Sequence, residues 1–328
     1  MTELSTPLLQ VRGLTRHFPV RSGVLLRTSG QVHAADDVSF DLNVGETLGL
    51  VGESGCGKST VGKTLLRLYE PTSGAVLFEG RDIASMNKAE LRRMRRNVQI
   101  ILQDPFESLN ARHTIGKILE EPFIIHRLGS TAERRRRVAG LLEKVGLEAA
   151  TANRFPHEFS GGQRQRIGIA RAIALEPKLI VCDEAVSALD VSIQSQVINL
   201  LLELQREMNL ALLFIAHDLA VVKHVSDHIA VMYLGEIIET ATATEIYRSP
   251  RHPYTQALLS AIPVPDPGAG RERIVLEGDV PSPIEPPGGC RFHTRCRYAQ
   301  EDCRQLKPAL KPVHSGASVA CHHWQSLG

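Results

Sequence analysis

The stretch TLGLVGESGCGKSTVGKTLL, residues 47–66, decides how the rest of the chain is read. Leu48, Leu50 and Val51 belong to an apolar run of strand length, three glycines follow at Gly52, Gly55 and Gly57, and Lys58, Ser59 and Thr60 open a helix. Glycine permits tight turns and lets backbone approach a ligand closely. The N–H groups of such a loop and of a helix start have no intrahelical acceptor, so they can gather phosphate oxygens. Lys58 adds a positive charge and the Ser59 hydroxyl a ligand for Mg²⁺. The spacing G-x-x-x-x-G-K-[ST] between strand and helix predicts a phosphate cradle built from Gly52, Glu53, Ser54, Gly55, Cys56, Gly57, Lys58, Ser59 and Thr60.

Composition sets the frame around that loop. With 328 residues the chain has room for a domain of roughly 200 to 250 residues plus an appendage. A hydrophobic share of 43% with 23% charged residues is that of a folded globular protein and argues against disorder. The longest apolar runs, such as 210–216, are strand-length and fall well short of the roughly 18 residues of a membrane span. The opening MTELSTPLLQVRGL lacks a basic start followed by an apolar stretch, so no secretory signal is expected and the chain is placed on the cytoplasmic side. A net charge of +2 gives no general drive toward nucleic acid. Two basic clusters, Arg92, Arg93, Arg95 and Arg96, then residues 134–137, read as solvated helix faces or as contacts for acidic groups on a partner. Neither is interleaved with aromatics as a single-strand binding surface is.

Taken in order, the first forty-five residues show short alternating runs and predict antiparallel strands. Phe18 falls there, either as an aromatic that stacks on a base or as a half-buried strand residue. A basic helix and an apolar strand lead to Gln103, whose amide at a strand end can reach a metal or an attacking water. Residues 105–159 read mostly as helix, with breaks at Pro122, Gly129 and Gly146. Ser160, Gly161 and Gly162 then precede an amphipathic helix, as a second anion site or a plain N-cap. The run 179–182 predicts a central strand covered on both faces, which delivers Asp183 and Glu184 to its carboxyl end. There Asp183 suits Mg²⁺ held through water and Glu184 suits a general base. A further apolar strand presents His217 and Asp218 at the same edge, and strands in HIAVMYLGEIIETA close the body near residue 243.

Six motifs in this order, GESGCGKST, the glutamine of ILQD, SGGQ, VCDE, SALD and the histidine of IAHD, resemble the nucleotide-binding subunits of ABC transporters. The resemblance spans nearly the whole chain. It implies an α/β fold: a RecA-like P-loop core with an antiparallel β subdomain and a helical subdomain at about 105–165, all within 1–245, then a small cysteine-rich extension over 246–328. The family sandwiches two ATP molecules with Mg²⁺ between two such domains. On that pattern Lys58, Ser59 and the loop glycines bind phosphates and Mg²⁺, Gln103 senses Mg²⁺ and couples to membrane subunits, Glu184 is the general base and His217 the switch. Asp190 speaks across the dimer, Phe18 stacks on adenine, and Ser160, Gly161, Gly162 and Gln163 complete the facing subunit's site. Ala185 and Phe159 replace a proline and a leucine common in the family without removing a functional group.

The stretches RHPYTQALLSAIPVPDP and LEGDVPSPIEPPGGCRFHTRC look like the oligopeptide and dipeptide importer ATPases, specifically the second of their two ATPase subunits. That implies ATP hydrolysis driving peptide import from the cytoplasmic face of the cell membrane. The implied partners are a second ATPase subunit in a heterodimer, two permeases and an extracytoplasmic substrate-binding protein, with no nucleic acid. Related systems carry nickel, haem or glutathione. Soluble ABC proteins acting on DNA or ribosomes form the other class. They carry long coiled-coil insertions or two phosphate loops, whereas this chain has one loop and an insert of ordinary size.

Of six cysteines, four crowd the C-terminal region: Cys290, Cys296, Cys303 and Cys321, with five, six and seventeen residues between them. In a reducing compartment such a cluster favours a metal centre over disulfides. Four thiolates can hold zinc or a [4Fe–4S] cluster, and paired C-x₂-C knuckles are absent. The resembled subfamily implies the iron–sulfur cluster, although Arg297 stands where those relatives usually carry proline; zinc and free thiols are the other readings. His293, His314, His322 and His323 are substitute ligands or plain surface histidines. Cys182 reads as a small buried hydrophobe. Cys56, beside Lys58, is expected to favour its thiolate, so that its alkylation blocks ATP binding.

Overall fold

A computed structural model describes residues 6–22, 27–104, 108–262, 273–314 and 316–327. The first residues of the expected helical insert, 105–107, and the PVPDP stretch, 263–267, lie outside it. The chain forms two compact units, one from Met1–Leu42, Thr47–Ala84 and Ala216–Gly328, the other from Asn43–Glu46 and Ser85–Ile215.

In the first unit the alternating N-terminal pattern becomes an antiparallel sheet, as expected. Strand Leu9–Ser22 lies between Arg27–Leu42 and Ser73–Phe78, with Leu9 opposite Leu42 on one side and Phe78 on the other. Leu9, Val11, Val38, Leu42, Val76 and Phe78 are all buried, which is the single covered face that alternation demands. The strand Thr47–Val51 runs parallel to His228–Tyr233, which turns back into Glu236–Thr242. Two short strands from the cysteine-rich region, Ala317–Val319 and Lys311–His314, continue this sheet beyond Glu236–Thr242. At three and four residues they are too short to show a period in the sequence.

The second unit holds three parallel strands, Val98–Ile101, Leu179–Asp183 and Ala211–Ala216. Every residue of the latter two is buried, so the apolar run read from the sequence is a strand covered on both faces. Around them, helices start where the sequence supplies caps. Asn87 and Glu90 form a capping box for Lys88–Asn97, as do Ser130 and Glu133 for Thr131–Lys144. Helix Ile115–Ile125 runs through Pro122 instead of breaking there, correcting the expectation. Ile115, Ile118, Leu119 and Phe123 are buried along it, and this packing outweighs the one hydrogen bond proline removes.

Candidate functional site

The phosphate loop takes the conformation its glycines allow. Gly52 and Gly57 have φ of 154° and 108°, and a Cβ would collide with the carbonyl of Met232 at the first and of Ala34 at the second. Gly55 also has positive φ, but a Cβ there meets open space, so turn geometry and not crowding selects it. Helix Lys58–Leu65 starts from Gly57 with no side-chain cap. Lys58 is only 3% exposed. Its ammonium donates to the carbonyls of Gly52 at 2.8 Å and Glu53 at 2.9 Å, which stations the charge inside the loop.

Cys56 departs from expectation. Its thiol is buried, and burial raises its pKa against the opposing pull of Lys58, whose Nζ lies 3.7 Å from the sulfur. Desolvation wins because a thiolate here loses its water shell, and the Lys58 ammonium and backbone N–H together do not make up for it. The thiol form is therefore the resting form.

In the second unit the parallel strands bring a second set of groups to one edge. Ile101 pairs with Cys182 and Asp183 with Ile215, so Gln103 lies just past one strand end while Asp183 closes the neighbouring strand and Glu184 follows it. His217, one residue past Ala211–Ala216 in sequence, is exposed and belongs to the first unit. Asp183 is buried at 4% exposure. Glu184 has φ of 49°, an uncommon left-handed backbone for glutamate. Its N–H donates to the Ile215 carbonyl at 3.0 Å, and its own carbonyl accepts from the N–H of Ser187 at 3.1 Å and the Ser187 hydroxyl at 3.0 Å. Such strain persists only where surrounding bonds over-determine it, and it concentrates at functional positions. No pattern in the sequence announces it.

Ser160 and Gln163 cap helix Gly161–Ile173 reciprocally. The Ser160 hydroxyl accepts the N–H of Gln163 at 3.4 Å, and the Gln163 side chain accepts the N–H of Ser160 at 3.1 Å. The N-cap reading is therefore realised, with Gly161 and Gly162 presenting bare backbone at the helix start. A Cβ on Gly162 would strike Ile193. Asp190 begins helix Val191–Met208 without using its side chain as a cap and is exposed. Phe18, half-buried, meets Tyr69 edge-on at 5.2 Å and carries the Arg16 guanidinium 4.3 Å from its ring centre. The loop, Phe18 and His217 belong to the first unit, while Gln103, Asp183, Glu184, Asp190 and the Ser160–Gln163 cap belong to the second.

This ordered set of elements matches a family model described as ABC transporter over residues 35–187. Along almost its whole length the chain resembles the oligopeptide transport ATP-binding protein AppF of Bacillus subtilis (strain 168), 55% identical over 96% of this chain and 97% of that protein. The chain belongs to the ABC transporter family. A second model, oligopeptide/dipeptide transporter, C-terminal region, matches this ABC ATPase over 238–303. A putative peptide import ATP-binding protein of Brucella ovis is 54% identical over 98% of each chain. Among solved structures, cbiO1 from Clostridium perfringens, part of the ABC transporter complex cbiONQ, aligns with TM-score 0.64 at 26% identity, covering 74% of this chain and 91% of that one. The dimeric cassette MJ0796 in a post-hydrolysis state bound to ADP and Pi gives 0.64 at 28%, covering 72% and 98%. The α/β fold is thus that of an ATP-binding cassette, and ATP with Mg²⁺ is its implied ligand. Among the described residues, no helix of this ABC ATPase is long and apolar enough to cross a membrane.

The C-terminal region gathers its own side chains. Cys290, Cys296, Cys303 and Cys321 all line one cavity with His252, His293, His322 and His323. Burial pushes the Cys290 thiol up to about 12 and Cys321 to about 11, and raises Cys296. Backbone N–H groups of Phe292, Tyr298 and His323 oppose that rise at Cys290, Cys296 and Cys321. The histidines have other partners: His293 bonds the Cys290 carbonyl at 2.8 Å, His322 the Leu306 carbonyl at 2.9 Å, and His323 the Asp302 carboxylate at 3.0 Å. His314 pairs with Glu245 instead. His252, unread in the sequence, is buried and held neutral by burial, its pKa lowered to about 3. Arg291, Arg295 and Tyr254 were also illegible as site residues, because their partners Asp36, Glu236 and Glu53 are distant in sequence.

Proposed function

We propose that this ABC ATPase hydrolyses ATP to power uptake of oligopeptides or dipeptides, as one nucleotide-binding subunit of a membrane transporter. The observation that carries this reading is the pairing, in one chain, of the ABC transporter match with the oligopeptide/dipeptide C-terminal match. The phosphates of ATP rest on the loop N–H groups and Lys58, and Phe18 stacks on the adenine. Mg²⁺, which neutralises phosphate charge, would be held by Ser59, Gln103 and, through water, Asp183. Glu184 takes the proton of the attacking water while His217 orients it, and ADP and phosphate leave. Ser160, Gly161, Gly162, Gln163 and Asp190 serve the nucleotide of a facing second ATPase subunit. Two permeases and an extracytoplasmic binding protein complete the machine, which places this chain at the cytoplasmic face of the membrane.

The four cysteines are proposed as ligands of a [4Fe–4S] cluster, with zinc the other centre that four thiolates take. Their convergence on one cavity supports a shared centre. Burial disfavours bare thiolates there, and a cation with N–H groups aimed at the sulfurs compensates that cost.

Anaerobic affinity capture of the chain from solubilised membranes tests both readings. Recovery with two permeases and a second ATPase, and broad visible absorption from the complex, is the expected result. Recovery with ribosomes or DNA and no membrane protein would overturn the transport reading, and a colourless, metal-free complex the cluster.

A further inference from the structure

Glu53 adds a carboxylate to the loop read as a phosphate cradle, where like charge works against an anionic ligand. Three side chains hold this residue. Arg295, whose side chain is 8% exposed, forks onto the carboxylate, Nη1 to Oε2 at 2.8 Å and Nη2 to Oε1 at 3.3 Å. The Tyr254 hydroxyl accepts the N–H of Glu53 at 2.9 Å, and Lys58 donates to its carbonyl at 2.9 Å. The N–H, carboxylate and carbonyl of one loop residue are therefore all engaged.

The two outer holders are themselves fixed. Tyr254 is fully buried, with its ring 4.8 Å from Tyr233 and 5.4 Å from Phe292. Arg295 sits one turn past Phe292, its N–H donating to the Phe292 carbonyl at 3.0 Å. Arg291, in the same turn, pairs with Asp36 and, at 3.1 Å, with Glu236. Tyr254 and Arg295 both lie within 238–303, the C-terminal match, and outside 35–187, the match to the ABC transporter model.

We infer that the C-terminal region is a working part of the nucleotide site: Arg295, with Tyr254, is a positioning residue that neutralises Glu53 and holds its peptide so that Lys58 and the loop N–H groups face phosphate. This deepens the ATPase reading above and rests on it. Removing Arg295 leaves a carboxylate unpaired beside the phosphates, a larger penalty than the pair's own net worth.

The test uses the full chain, with Mg-ATP and Mg-ADP affinities by calorimetry, kcat and KM for hydrolysis, and thermal unfolding. Arg295→Ala is expected to weaken Mg-ATP binding about tenfold and Mg-ADP binding less, raising KM more than it lowers kcat. The double variant E53Q/R295A, which removes the stranded charge as well, recovers affinity to within about threefold of wild type. Tyr254→Phe keeps the aromatic packing, removes only the acceptor, and weakens binding about threefold. Wild-type affinity in Arg295→Ala overturns the inference. So does a double variant as weak as the single one with an equally lowered midpoint, since the arginine then only staples the extension. A wild-type chain that binds no nucleotide would overturn the ATPase reading itself, and the inference with it.

Discussion

The phosphate loop and the cysteine-bearing turn lie in the same unit, yet they are built in opposite ways. In the loop, Lys58 reaches carbonyls six and five positions back along the chain. In the turn, Arg295 finds its carboxylate 242 positions away, and Arg291 finds Asp36 at a separation of 255. A site made of backbone geometry carries its chemistry inside a short motif. One made of side-chain pairs borrows its chemistry from whatever the fold delivers.

Single substitutions on either side test that contrast. The largest effect is expected at the proposed general base: Glu184→Gln should lower ATP turnover by about 10² to 10⁴-fold with nucleotide binding retained. Phosphate-release kinetics alongside calorimetry check this, and turnover within tenfold of wild type would remove the base from Glu184. Next comes the loop's backbone demand. Gly57→Ala must place a Cβ against the Ala34 carbonyl at a φ of 108°, at a cost of about 2 to 4 kcal/mol in denaturant unfolding. A variant as stable as wild type would show that the loop is less tightly dictated than its motif suggests.

On the long-range side, Asp36→Asn should cost about 1 to 2 kcal/mol, because Arg291 keeps Glu236 while losing one carboxylate. Its pH dependence has a definite sign. Burial alone raises the Asp36 pKa, but hydrogen bonds from Arg291, His17 and His33 overcome it and hold the carboxyl at about 2, below its ordinary 3.8. The folded state therefore favours the carboxylate. Its contribution is complete above about pH 4 and is lost as pH falls through about 2, so wild type and Asp36→Asn should converge in that window. A gap that stays constant down to pH 2 would detach the stabilisation from this carboxylate. The smallest effect concerns Cys56. Because its thiol is buried and its pKa raised, alkylation at neutral pH should be slower than for a free cysteine peptide, with ATP adding little protection. Rapid labelling that ATP blocks would restore the thiolate reading.

Legibility followed the same division. The covered strands at Leu179–Asp183 and Ala211–Ala216, the antiparallel N-terminal sheet and the glycine loop all announce themselves through period or spacing. The continuous helix through Pro122 did not, because its buried face overrides a local breaker. Nor did the left-handed Glu184, whose backbone is dictated by bonds to Ile215 and Ser187 and not by its residue type.

Taken alone, the amino-acid order determined the glycine-rich loop, the acidic strand end, the capped helices and the presence of four clustered cysteines, since each depends on residues near one another in the chain. Tertiary structure decided that those cysteines share one cavity, that Cys56 rests as a thiol, and that Glu53 is clamped by Arg295 and Tyr254. The physical reason is that burial and ion pairing depend on distance in space, and a chain folded back across more than two hundred residues does not record those distances in its local pattern.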